Sequence, residues 1–137
     1  MLLGGLDRWR DISQLALRLL TGSFLVHETL DNVTSAARME EFARFLAQFG
    51  FPAPHLMAPL SVAVQFGCGL LLIGGLLTRW AGLLIAANFV VALVMVHWNE
   101  GFRGWWPALV LVFLGLHFAS HGAGRFAFDR LLGGKAR

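Results

Sequence analysis

The 137-residue sequence contains no tyrosine and one cysteine, Cys68. A single thiol excludes an intrachain disulfide and a CxxC redox pair. Charge is scarce too: Asp, Glu, Lys and Arg make up 14% of the chain, against about 25% in soluble domains. The net charge is only +3 and comes with no basic tract, so the sequence gives no reason to expect nucleic-acid binding. The opening MLLGGLDRWRDISQ lacks the order of basic region, apolar core and small-residue cleavage site that marks a cleaved signal, so the first apolar run is expected to stay as an anchor. GCGLLLIGG, residues 67–75, lacks the Lys and Ser/Thr of a phosphate loop. There is no HExxH, no paired CxxC and no haem-attachment motif. What the chain does have is apolar: 57% hydrophobic residues, with 12 Phe and 5 Trp. This composition predicts a membrane protein.

The expected fold is all-α, a single membrane-embedded four-helix bundle over residues 1–137. Its spans are expected near 12–32, 56–77, 80–98 and 106–121. Runs of about 20 apolar residues cover a bilayer, and in lipid they satisfy their backbone as helices. The first run is the least apolar, with Arg18 at one end and His27 and Glu28 at the other. Arg18 is expected to snorkel to the headgroups. Between spans one and two, Ala37, Phe42, Phe45, Leu46 and Phe49 form an amphipathic pattern, ended by Gly50 and Pro52. It predicts an interfacial helix or one folded over the bundle. LLTRW, 76–80, predicts a tight antiparallel turn. Trp98, Trp105 and Trp106 read as an aromatic belt, and Pro107 as the first turn of span four. Ala63–Gly67 and Gly115–Ala119 are small-xxx-small steps for close helix contact.

Basic residues favour the two termini and the 76–80 turn, whereas the other connections are acidic or neutral. The bias places both termini in the cytoplasm of a multi-pass protein of the bacterial inner membrane. With that topology His27, Glu28, Gln65 and His97 share the outer half. They form a candidate polar pocket for a quinone headgroup, a proton path or a metal, because ionisable groups at membrane depth are costly. Structural readings stand beside this one: a wet helix end for His27 and Glu28, and an interhelical amide for Gln65. Asn88 falls near mid-membrane. His117 and His121, four residues apart, lie on the inner side. No acid or cysteine accompanies them in span four, so no metal site is assigned. Cys68 reads as a packing residue.

Several motifs, taken in order, resemble the DoxX family of small membrane proteins. They are LRLLTGSFLVHE in span one, FGFP at 49–52, GGLLTR at 74–79, VHWNEGF at 96–102, and Gly124, Arg125, Phe126 and Asp129 near the end. The resemblance implies a four-helix bundle whose functional region lies among polar residues of spans one and two. It also implies a link to sulfur oxidation, through a thiosulfate:quinone oxidoreductase subunit, or to oxidative-stress responses. The chain departs from the family pattern at three points. Glu28 stands where a glycine is common, Asp31 and Asn32 fall where a lysine is common, and Gln65 replaces a span-two glutamate. Glu28 is therefore a candidate substitute for the missing carboxylate, which requires it to share a face with Gln65. The expected function is a redox-associated membrane protein that binds a quinone-like molecule or serves a partner oxidoreductase. It carries no flavin, haem or iron–sulfur signature of its own. The alternatives are an accessory or assembly subunit and, third, a small transporter. Expected partners are membrane lipid, an oxidoreductase or a second copy of the chain.

Overall fold

The computed structural model describes residues 3–133, and no strand occurs among them. A short 3-10 turn, Gly4–Trp9, leads into α1, Arg10–Thr34. α2 covers Ala36–Gln48 and α3 Pro54–Gly74. α4, Thr78–Ala92, runs on through a π turn at Leu93–His97 and a 3-10 turn at Trp98–Glu100. α5 is Gly101–His121, and a short α6 is Phe128–Leu132.

Two stretches are long and apolar enough to cross a membrane, each with mean hydropathy 2.0. One is Pro54–Gly74. The other is Thr78–His121, which contains α4, the reversal and α5. α1 is not among them; Arg18, His27, Glu28 and Asp31 interrupt its apolar run.

The long helices pack antiparallel in sequence order. α1 meets α3 with Gly22 against Gly69 and Arg18 against Leu72. α3 meets α4 through Ser61 and Asn88. α4 meets α5 with Gly82 against Gly115 and Arg79 against Ala119. Between apolar helices in lipid the hydrophobic drive is small, so close backbone approach does much of the holding. The glycines permit it. A Cβ on Gly22 would lie 2.6 Å from the Gly69 carbonyl oxygen, and one on Gly115 2.6 Å from that of Gly82. The Gly115 step thus makes a helix contact, whereas Gly67 faces open space beside exposed Ala63. Leu25, Cys68, Leu72, Ile85, Leu111 and Phe118 form one core drawn from α1, α3, α4 and α5.

α2 lies over α3. Ala43 and Leu46 pack on Ala58, joined by Phe42 and Met57. The Ser35 Oγ caps its start by accepting from the Arg38 N–H, and Gly50, at φ +78°, ends it. α3 closes the same way at Gly75, φ +67°, with Leu76 N–H donating to the Leu71 carbonyl. Pro107 differs from its expected place. The helix begins at Gly101, so Pro107 lies in the second turn of α5 rather than the first. There its ring removes a bond to the Arg103 carbonyl. Trp98 and Trp105 stack at 5.6 Å across the reversal, and the Trp105 Nε1–H donates to the Trp98 carbonyl.

Candidate functional site

A cavity of about 390 Å³ opens where α2 lies over α3 and α4. Pockets for small molecules span about 300–1,000 Å³. α2 contributes Phe42, Phe45 and Leu46, and α3 contributes Leu60, Ser61, Val64 and Gln65. α4 and its π turn contribute Leu84, Asn88, Val96 and His97. Leu60, Leu84 and Val91 are also exposed outward, so the cavity opens on the apolar flank of the chain.

Its polar groups form a chain. Gln65 Nε2 donates to Ser61 Oγ at 3.0 Å, and Ser61 Oγ donates to Asn88 Oδ1 at 2.9 Å. Among the described residues, Gln65 Oε1 and Asn88 Nδ2 make no further hydrogen bond, which leaves one acceptor and one donor group over. His97 sits at the rim. Its Nδ1 is 2.8 Å from Glu100 Oε2, and its Nε2 has no partner among the described residues. The π turn at 93–97 brings Val96 and His97 to the wall; such turns recur at functional sites.

Of the four residues singled out in the sequence, Gln65 and His97 share this cavity and His27 and Glu28 do not line it. The α1 face turned inward carries Gln14, Arg18, Thr21, Gly22, Leu25 and Thr29. His27 and Glu28 point away from it, with side chains 85% and 55% exposed and 3.7 Å apart. Among the described residues, no carboxylate therefore lines the cavity beside Gln65. Arg38, Glu40 and Glu41 also stay outside, paired along α2 or, for Glu40, with His55. Ser61 and Asn88 complete the chain. Ser61 precedes Gln65 by four residues, spacing that puts both on one helix face, and that signal was legible in the sequence.

The opposite end is held by polar contacts. Arg18 is 1% exposed and does not snorkel. Its Nε donates to the Leu72 carbonyl at 2.9 Å, and its Nη1 to the carbonyls of Phe126, at 2.9 Å, and Ala123. It thereby ties the end of α3 to the segment after α5. Gln14 reaches the Gly122 carbonyl and His117 Nε2, each at 2.7 Å. His117 and His121 stack at 4.2 Å. Asp129 accepts from Leu77 N–H at 2.6 Å and Thr78 N–H at 2.9 Å, capping α4. It does so at a turn where Leu77 has φ +50°, a conformation a leucine adopts only under constraint. Asp129→Ala is expected to lower stability by about 1–2 kcal/mol, the range for a lost helix cap. Thermal unfolding in detergent followed by circular dichroism checks this, with Asp129→Asn recovering part of the loss.

Comparison with curated proteins and with solved structures yields no match. A family model does match: DoxX, over residues 13–98. That stretch holds most of α1, all of α2, α3 and α4, and the whole cavity wall. With its two apolar stretches of membrane-crossing length, the chain is a membrane protein that belongs to the DoxX family.

Proposed function

We propose that the protein binds a quinone-like molecule in the cavity between α2, α3 and α4. One observation carries the reading: the Gln65–Ser61–Asn88 chain ends in an unused acceptor and an unused donor inside aromatic and aliphatic walls. A quinone carbonyl accepts from Asn88 Nδ2, and a quinol hydroxyl donates to Gln65 Oε1. Phe42, Phe45 and Leu60 cover the ring and the first part of its apolar tail. When bound, the quinone supplies two-electron redox chemistry to a partner oxidoreductase. The chain's residues orient it, and His97 Nε2 offers a proton-accepting site at the rim.

In this reading α1, α3, α4 and α5 cross the bacterial inner membrane as a four-helix bundle, with α2 at the outer interface and both termini cytoplasmic. The charge bias supports that orientation. The outward flank of the cavity then faces lipid, the phase that holds such ligands.

The accessory-subunit alternative draws on the open Gly67 step beside exposed Ala63, Leu60 and Leu70, a surface suited to another helix. The transporter reading is disfavoured. Leu25, Ile85 and Phe118, each 0% exposed, belong to the apolar core between the cavity and His117.

Titration of the detergent-solubilised protein with a short-chain benzoquinone tests the main reading. Gln65→Leu and Asn88→Leu are each expected to weaken binding about 5–10-fold, the worth of one hydrogen bond. His27→Ala is expected to leave it unchanged. Equal affinity in all four proteins would sink the assignment.

A further inference from the structure

At the end away from the cavity a second cleft, about 610 Å³, lies between the start of α4 and residues 121–130. Arg79, Arg125 and Arg130 line it, facing Asp11, Asp129 and His121. Both carboxylates are engaged by backbone. Asp129 caps Leu77 and Thr78, and Asp11 Oδ1 accepts from the Arg125 N–H at 3.3 Å. His121 Nδ1 is turned to Ser120 Oγ and the His117 carbonyl. Arg79 spends Nη1 on the Ala119 and Ser120 carbonyls. The ion pairs among the described residues all lie elsewhere, so none of the three guanidinium groups is paired with a carboxylate, and three guanidinium groups share the cleft with two carboxylates.

Apolar side chains ring the same cleft or stand beside it. Trp80 is 67% exposed, Leu77 54% and Leu131 77%. Exposed tryptophan beside unpaired arginine is the arrangement of the headgroup level of a bilayer.

We propose that this cleft seats the phosphate of an anionic phospholipid. Arg125 and Arg130 hold the phosphate, and the acyl chains run down the flank beside Trp80 and Leu77. A phosphate anion is the shared chemistry, and it has two sources, a lipid headgroup or free phosphate. The apolar rim selects the lipid.

The test uses the full-length protein in detergent. It measures retention of phosphatidylglycerol against phosphatidylcholine by native mass spectrometry after equilibration with an equimolar mixture. The wild type is expected to prefer phosphatidylglycerol by about 30-fold, the worth of two arginines at an anionic surface. The double variant Arg125→Gln/Arg130→Gln is expected to fall to within about twofold of no preference. Both side chains are exposed, and an unchanged melting temperature confirms that the variant is folded. Arg103→Gln, at the opposite end, is expected to behave as wild type. A double variant that keeps the full preference overturns the proposal. Equal protection against thermal unfolding by millimolar inorganic phosphate and by phosphatidylglycerol overturns it in favour of a free anion.

Discussion

Arg18→Leu is expected to destabilise the protein by about 3–5 kcal/mol, the largest effect of any single substitution considered. The leucine fills part of the volume but leaves the carbonyls of Leu72, Ala123 and Phe126 without their common donor. The Leu72 carbonyl keeps the Gly75 N–H at 3.2 Å. The loss therefore falls chiefly on the buried Ala123 carbonyl and the part-buried Phe126 carbonyl. A buried acceptor left without a donor costs roughly 1–3 kcal/mol. Arg18→Lys is expected to recover less than half of the loss. An ammonium is a point donor, whereas these acceptors lie along the planar fork of a guanidinium. Unfolding in mixed micelles with increasing SDS measures both. Limited proteolysis gives a second readout, because release of Ala123 and Phe126 exposes the segment before α6. A loss under about 1 kcal/mol for Arg18→Leu would show the contacts to be incidental.

Gly115→Val is expected to cost about 3 kcal/mol, at the upper end for overpacked cores. Even the first added carbon would lie 2.6 Å from the Gly82 oxygen and 2.8 Å from the Ala86 nitrogen. Both obstacles are backbone, so no rotamer change relieves them; α4 and α5 must separate. Separation also disturbs Ile85, Leu111 and Phe118 in the shared core. Gly67→Ala is the matched control, because a Cβ there meets nothing within 4 Å. It is expected to stay within about 0.5 kcal/mol of wild type. The same SDS titration reads both variants. A Gly115→Val protein as stable as Gly67→Ala would mean that α4 and α5 do not approach this closely.

Particular residues show what the sequence could and could not reveal. The apolar helices were legible because long uncharged runs have few other solutions. α2 was legible from the spacing of Phe42, Phe45, Leu46 and Phe49. Gln65 and His97 were placed together by counting residues along antiparallel helices, and they share a cavity. The same counting grouped His27 and Glu28 with them. Counting gives height along an axis, whereas the direction a side chain faces depends on what its helix packs against. α1 turns Leu25 and Thr29 inward and leaves His27 and Glu28 exposed. Arg18 was read as snorkelling because its partners are invisible locally: Leu72 lies 54 residues on, Ala123 105 and Phe126 108. Likewise Gly115 was marked as a contact residue, but nothing near it in sequence names Gly82 as its counterpart.

That separation between Arg18 and its partners also matters while the chain is being made. The arginine leaves the ribosome 105 residues before Ala123, an interval of about 5–20 s at ordinary elongation rates. Throughout it the guanidinium lacks the acceptors of residues 123 and 126, and α1 holds a charge with an unfinished site. α1 therefore gains its full set of contacts only after α5 and the segment that follows it have been synthesised. A nascent chain halted before Ala123 should hold α1 near water, or in the care of the insertion machinery, until the closing segment arrives.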